Sequence, residues 1–482
     1  MGADPFDGSE RLLVLTNRLP FSFQRGRRGL ERRPSVGGLA SALDPVLRKR
    51  GGTWLGWPGF HFAPGEHLEP RGSPYRIRPI GLSEAEMARY YHGLSNRTLW
   101  PLLHSFPSRA RFDRLDWPVY EQVNLRFAEA ALQESQEADL VWVHDYHLLR
   151  TPFHLRRALP EVRLVFFLHV PFPTYDIFRL LPWGGDLLRG MLACDLVGFN
   201  VESYARNFLD CVEHLLGVDV SRESWSVELQ GRVCRVGAFP IGIDFDRFAS
   251  MAREGAASRL PRRERIILAA DRLDYTKGIS ERIIAIEHLL EAHPEYQGKV
   301  VLFQIAVPSR SQPVEYRALK REIEELVGRV NGRFGTATWS PIRYLHRLLG
   351  HQQLAALYRD ADVLLATPLR DGMNLVAEEF VACQVGEPGV LILSRLAGAA
   401  ETMHEALLVN PYDVDQVAEV LDRALRMGEK ERRARMDALR ARERSWDVHA
   451  WVEFFLRAAQ QAATEGEPLG ARASPPGPGS RS

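Results

Sequence analysis

The stretch DVLLATPLRDGMNLVAEE, Asp362–Glu379, decides the fold. Val363 to Ala366 is an apolar run of strand length, Arg370-Asp371-Gly372 carries turn chemistry, and the pattern from Asn374 onward is helical. A strand that passes through a tight turn into a helix presents backbone N–H groups and the positive end of a helix dipole at one edge, where anions bind. Open α/β sheets place their ligands at that edge. The stretch therefore predicts both a parallel sheet and a ligand site at its carboxyl end.

Working outward, similar apolar runs recur at Leu12 to Leu15, Leu140 to Val143, Leu164 to Leu168 and Leu196 to Phe199. They are continuous rather than alternating, as strands buried on both faces must be. Helical periods fall between them, notably Val119 to Gln133 and Glu202 to Leu216. A second series follows Pro240-Ile241-Gly242-Ile243: Ile266 to Ala270, Val300 to Val307, Val363 to Ala366, Val390 to Leu393 and Leu407 to Val409. Its helical stretches are Ser280 to Ala292, Val314 to Val327, His351 to Arg359 and Val414 to Met427. Two successive α/β series predict two Rossmann-like, doubly wound domains, with ligands in a cleft faced by the strand ends of both. The expected boundaries are 1–245 and 246–445, then a C-terminal helix over 446–463 that packs back on the first domain. The Pro/Gly/Ser-rich tail, 464–482, has too little apolar surface to fold.

Composition fits this reading. The 482 residues are 45% hydrophobic and 26% charged, as in ordinary globular proteins. Lys and Arg number 62 against 61 Asp and Glu, a net charge of +1, so no global field recruits nucleic acid or an anionic membrane. Cys194, Cys211, Cys234 and Cys383 show no CxxC spacing, which argues against a zinc site or a disulfide framework and points to a reducing cytoplasm. The acidic start MGADPFDGSE predicts no secretory signal, and no run approaches the roughly 18 apolar residues that span a bilayer.

The chemistry concentrates at predicted strand ends. DRLDYTKG, Asp271–Gly278, follows one strand, and its Arg272 and Lys277 can converge on a polyphosphate and carry the charge of a departing nucleoside diphosphate. The competing reading pairs both cations with Asp271 and Asp274 at the surface. Asp371 is suited to sugar hydroxyls, Gly372 to the tight turn, and Glu379, about two turns into the helix, to a ribose diol. His144, Asp145 and His147 lie close enough in sequence to suggest a metal, but no further thiolate or imidazole is near, so they read as hydrogen-bonding groups at a strand terminus. His169 ends another strand, where it can meet Asp145. At the first strand's end stand Asn17 and Arg18, and Gly37-Gly38 precede a helix and permit close backbone approach. The aromatic segment Tyr90–Trp100 offers ring faces to a sugar or to the core.

Together these segments resemble the trehalose-6-phosphate synthases, retaining glycosyltransferases of the GT-B type, glycosyltransferase family 20. The resemblance runs from about Arg11 to Phe455. It rests on TNR (16–18), VGGL (36–39), YYHGLSNRTLWP (90–101), WVHDYHLL (142–149), FFLHVPFP (166–173), FPIGID (239–244), DRLDYTKG (271–278), PSR (308–310), PLRDGMNLVAEE (368–379), SRLAGAA (394–400) and NPYD (410–413). It implies transfer of glucose from a nucleotide-glucose to glucose 6-phosphate.

By resemblance, Asp145, His169, Arg272, Lys277 and Asp371 are catalytic. The donor site comprises Gly37, Gly38, His169, Arg272, Lys277, Leu349, Asp371, Gly372, Met373, Asn374, Leu375, Val376, Ala377, Glu378 and Glu379. Arg18, Tyr91, Trp100 and Arg310 surround the acceptor phosphate, and Asp145 holds acceptor hydroxyls. No metal or other cofactor is obligatory, a divalent cation being at most a stimulant. The partners are the two small substrates, with a homo-oligomer compatible. Relatives that use UDP-glucose often carry an aromatic residue where this chain has Leu349, so the base stays open: UDP-glucose first, then GDP- or ADP-glucose. Nothing after Trp446 reads as the fused phosphatase of some relatives. The rival enzymes are a glucosylglycerol-phosphate synthase and a cyclitol-coupling pseudo-sugar transferase. A silent regulatory subunit is the rival from another class, and it would be expected to lose Arg272, Lys277 or Asp371, all of which are kept.

Overall fold

The computed structural model describes residues 11–26, 29–34, 38–61, 73–135, 138–255, 264–308 and 314–463. Two compact units emerge: one combines the chain up to Ile241 with the segment from His449, and the other is Gly242–Val448.

The first unit contains β1 (Leu12–Arg18), β2 (Phe21–Gly26), β3 (Gly29–Pro34), β4 (Thr53–Trp57), β5 (Arg76–Pro79), β6 (Leu140–His144), β7 (Arg163–Leu168), β8 (Leu196–Phe199), β9 (Val220–Ser221), β10 (Ser226–Leu229) and β11 (Arg232–Ala238). Nine of these form one sheet in the order β5-β4-β1-β6-β7-β8-β11-β10-β9, and β2 and β3 form a separate hairpin. The pairings from β5 to β11 are parallel, while β10 and β9 run antiparallel at the edge. Apart from that edge, the chain visits its positions in the order 3-2-1-4-5-6-7, the doubly wound order 3-2-1-4-5-6 extended by β11.

The second unit repeats the design with β12 (Arg265–Arg272), β13 (Val300–Val307), β14 (Ile342–Leu345), β15 (Val363–Ala366), β16 (Val390–Ser394) and β17 (Leu407–Val409). Its order, β14-β13-β12-β15-β16-β17, is again 3-2-1-4-5-6, and every pairing is parallel. This is the α/β, GT-B class of fold, built from two Rossmann-like units. In each sheet the winding direction reverses beside the first strand, between β1 and β6 and between β12 and β15, and the loops there are free to hold a ligand.

Burial explains why these strands form. β1 is buried from Leu12 to Asn17 and exposes only its last residue, Arg18; β12 is buried from Ile266 to Asp271 and exposes only Arg272. Apolar side chains on both faces hold each strand in the interior, and the polar terminus breaks out at the carboxyl edge. The helix Val448–Ala463 covers the first sheet, with Trp451, Phe455 and Leu456 fully buried. Its Trp451 indole donates to the Phe239 carbonyl at 3.1 Å, and the Phe455 ring stacks on Trp142 of β6 at 4.8 Å. Among the described residues no helix is long and apolar enough to cross a membrane.

Candidate active site

At the reversal point of the second sheet, two loops meet. The loop after β12 carries Lys277, and the loop after β15 carries Asp371; Lys277 Nζ and Asp371 Oδ2 lie 2.7 Å apart, both largely buried. The backbone fixes this meeting. The Leu369 N–H donates to the Thr276 carbonyl at 2.7 Å, joining the loops. Gly278 has φ +64°, and a Cβ there would sit 2.4 Å from the Thr367 carbonyl oxygen, so only glycine fits. Gly398 is required for closeness alone, since its Cβ would lie 2.2 Å from the Gly372 carbonyl.

Asn374 opens the helix Leu375–Cys383 from a left-handed conformation, φ 113° and ψ 73°. Its side-chain oxygen accepts from the Ala377 N–H at 3.0 Å, and its amide donates to Asp371 Oδ2 at 3.0 Å. A non-glycine residue held there costs about 1–3 kcal/mol, which the cap and the Asp371 bond offset. Asp371 thus receives a cation and an amide on one oxygen.

The two adjacent glutamates of this helix diverge. Glu379 is partly exposed and its Oε2 accepts from the Tyr358 hydroxyl at 3.1 Å. Burial raises its carboxyl to about 7, against the lowering effect of the Tyr358 hydrogen bond. Glu378 is fully buried, neither of its oxygens has a hydrogen-bond partner among the described residues, and its carboxyl is pushed well above the usual range, first by burial and then by Glu443 and Glu379. Glu378, expected in the donor site as part of the helix start, turns its side chain into the interior. Leu349, Gly372, Met373, Asn374 and Ala377 are buried, and Leu375 and Val376 partly so.

The surface-pairing alternative for the DRLDYTKG acids also differs from what is found. Asp271 pairs at 2.7 Å with Arg282, whose side chain is fully buried. Arg282 also donates to Gln304 Oε1 at 2.8 Å, Thr367 Oγ1 at 3.1 Å and the Lys277 carbonyl at 3.2 Å. Asp274 folds back to accept from the Thr276 N–H and hydroxyl, both at 3.0 Å. Arg282 was not among the expected site residues. Its signal was a lone cation in the apolar helix ISERIIAIEHLL, one turn after Lys277.

The reversal point of the first sheet is built differently. The Arg18 guanidinium lies 4.8 Å from the Trp57 ring centre and 5.7 Å from that of Tyr91. Tyr91 stacks on His147, 5.6 Å between centres with planes 10° apart. Tyr91 belongs to a π-helix, Met87–Leu99, whose wider turn ends with the Trp100 N–H bonding Ser95 O, five residues back. Such turns recur at functional sites. The preceding Tyr90 is fully buried and donates to Asn17 Oδ1 at 3.0 Å. Trp100 is only 4% exposed, its ring 5.7 Å from Tyr146, so it backs this surface more than it faces it.

Asp145 sits just past β6 with φ 71° and ψ 166°, a conformation that side-chain-bearing residues avoid. Its N–H donates to the Phe167 carbonyl at 2.8 Å. Buried Asn124 holds the loop that follows, accepting from the Arg150 and Thr151 N–H groups and donating to the His147 carbonyl. Asn124 carried no sequence signal. Next door, His144 Nδ1 and His169 Nε2 are 3.0 Å apart. Burial lowers His169 to about 3 and His144 well below its ordinary value, so both rings are neutral. Asn200 donates to the His169 carbonyl at 2.9 Å and fixes the strand end. Gly37 and Arg310 lie outside the described residues, and Gly38 begins the helix Gly38–Arg50.

Two Rossmann-like units, with a cation–carboxylate clamp at one reversal point and an arginine–aromatic stack at the other, define a glycosyltransferase of the GT-B class. The model for glycosyltransferase family 20 matches residues 10–461, and the chain belongs to that family. It is 39% identical over 474 residues, 95% of this chain and 98% of the relative, to the UDP-forming α,α-trehalose-phosphate synthase 2 of Aspergillus fumigatus. Among solved structures it resembles a UDP-forming α,α-trehalose-phosphate synthase from Burkholderia xenovorans in complex with glucose 6-phosphate, with a TM-score of 0.86 and 37% identity, covering 93% of this chain and 100% of that one. An E. coli trehalose-6-phosphate protein bound with UDP-2-fluoro glucose gives 0.86 and 37%, covering 94% and 99%.

Proposed function

We propose that this protein transfers glucose, with retention of configuration, from UDP-glucose to glucose 6-phosphate, giving α,α-trehalose 6-phosphate and UDP. The UDP-forming relatives support this reading, as do the related structures that hold glucose 6-phosphate and a UDP-glucose analogue. The observation that carries it is the meeting of Lys277 and Asp371 at 2.7 Å, on loops from either side of a sheet's reversal point, with exposed Arg272 ending the strand that leads to Lys277. A bound donor exchanges that internal ion pair for two ligand contacts: diphosphate to Lys277 and Arg272, glucose hydroxyls to Asp371.

In the reaction the bond from glucose C1 to the β-phosphate oxygen breaks while the acceptor's anomeric oxygen bonds to C1 from the same face. The acceptor's proton passes to a diphosphate oxygen. Arg272 and Lys277 bear the negative charge that grows there, which is where preorganised cations lower a barrier most. Nothing in this step requires a metal. His169, neutral over the whole working range, acts as a hydrogen-bonding group for sugar rather than as an acid or base. Asp145 orients the acceptor, Arg18 and Tyr91 bind its phosphate with Arg310, and Trp100 supports them. Gly37, Gly38 and the backbone from Gly372 to Glu378 border the donor, Leu349 the base, and Glu379 the ribose. We place the activity in the cytoplasm, in keeping with four buried free thiols.

A donor-by-acceptor panel tests the whole reading: UDP-, GDP- and ADP-glucose against glucose 6-phosphate and glycerol 3-phosphate, followed by nucleoside diphosphate release. The expected result is fastest release with UDP-glucose and glucose 6-phosphate together. Preference for glycerol 3-phosphate, or no release with any pair, overturns it.

A further inference from the structure

The helix His351–Asp360 contributes one polar side chain to the donor helix. Tyr358 is 1% exposed, and its hydroxyl donates to Glu379 Oε2 at 3.1 Å. A buried tyrosine hydroxyl needs a partner, and here the partner is a carboxylate. The tyrosine's backbone is also anchored, since Gln384 Nε2 donates to the Tyr358 carbonyl at 2.5 Å and Gln384 Oε1 accepts from the Gly389 N–H at 2.7 Å. Burial, followed by the nearby Glu379 charge, keeps the phenol protonated, so it is a permanent donor.

We propose that Tyr358 is a positioning residue for donor binding: its hydroxyl holds one oxygen of Glu379 and stabilises the ionised carboxylate, leaving the other oxygen to accept from the ribose hydroxyls of the nucleotide. This rests on Glu379 being the ribose ligand. A diol offers only donors to that carboxylate, so the nucleotide binds the ionised form. Glu379 titrates at about 7, and donor affinity therefore falls as pH drops through that value. The Tyr358 bond counteracts the burial that raises Glu379, and its loss moves the fall to higher pH. Among the described residues, further titratable and charged groups surround this pair through its neighbours. Glu378 and Cys383 share the helix of Glu379, Asp271 bears on Tyr358 from the end of β12, and Arg359 bears on Cys383 from the Tyr358 helix. Glu443 and Arg440, from the helix Glu429–Ser445, act on Glu378 and Cys383. The helix Phe245–Glu254 meets this face through the Phe248 carbonyl, which accepts from the Cys383 thiol.

The test compares wild type, Tyr358→Phe and Glu379→Gln from pH 5.5 to 9, measuring KM for UDP-glucose, KM for glucose 6-phosphate and calorimetric UDP binding. For Tyr358→Phe we expect the donor KM at pH 7 to rise about threefold to tenfold, the net size of one typical hydrogen bond. Its pH midpoint should move upward, with the acceptor KM unchanged and the thermal unfolding midpoint close to wild type. Glu379→Gln should raise the donor KM and abolish its pH dependence. An effect of Glu379→Gln with no change in donor KM or midpoint in Tyr358→Phe overturns the role of Tyr358 alone. No effect of Glu379→Gln overturns the ribose assignment and this inference with it.

Discussion

The two sheets wind in the same order and end their first strands in the same way, yet their reversal points are made of different matter. Arg272 ends a strand whose loop belongs to an ionic lattice, in which Lys277 pairs with Asp371 and fully buried Arg282 joins Asp271 to both loops. Arg18 instead lies against indole and phenol faces. Topology supplies an edge with an arginine on it; the loops decide whether that edge exchanges ion pairs or stacks. An ionic lattice suits a ligand that brings phosphate and leaves with it. An aromatic face suits a sugar ring carrying one charge at its end.

Four substitutions probe this contrast. Lys277→Ala should lower kcat about 10²- to 10³-fold in the UDP-release assay, because it removes charge stabilisation from the transition state, while circular dichroism stays unchanged. Near-normal turnover would place the clamp elsewhere. Arg282→Met leaves Asp271 as a buried, unpaired carboxylate and should destabilise the second unit by about 3–5 kcal/mol in urea unfolding. A loss below about 1 kcal/mol would mean that the lattice is replaceable. Arg18→Ala should raise KM for glucose 6-phosphate about tenfold and spare the donor KM, since a hydrogen bond to a charged group is lost without touching the leaving group. A donor effect of equal size would erase the division of labour between the two edges.

The smallest effect concerns Glu378. Its folded-state pKa is raised above the ordinary 4.5, and Glu443 is raised to about 8. Below about pH 4.5 both are protonated in either state; as pH rises, the unfolded chain loses protons that the folded protein retains, and stability falls through the folded pKa values. Glu378→Gln removes that cost, so its melting temperature should exceed wild type by about 2–4 °C at pH 9 and match it near pH 4.5. An equal difference at both pH values would remove ionisation as the cause.

Much of this was legible in the chain. Strands buried on both faces, such as Leu140–His144 and Ile266 to Asp271, leave continuous apolar runs, and the residues at their ends announce the site. Strands at the margins leave no such trace. Ser226–Leu229 and Arg232–Ala238 pair antiparallel near the sheet's edge and mix polar with apolar residues, and in Ile342–Leu345 only Ile342 is buried. Within the site, Lys277 and Asp371 were readable separately, but their contact spans 94 positions and exists only because β12 and β15 are neighbours. Glu378 and Glu379 show a finer limit. A helical period predicts that adjacent residues face differently, but which one turns inward depends on the helices packed around them. The π-helix under Tyr91 is invisible for a related reason, since its composition is that of any helix and only the hydrogen-bond spacing differs.

The helix Val448–Ala463 has a consequence for the order in which the molecule is made. It completes the first unit, yet it follows the whole of the second in the chain. On the ribosome, Gly242–Val448 emerges in full while Trp142 and Phe167 still await Trp451 and Phe455. The half that begins first is finished last, and until then the face of its sheet that this helix covers lacks its apolar partner.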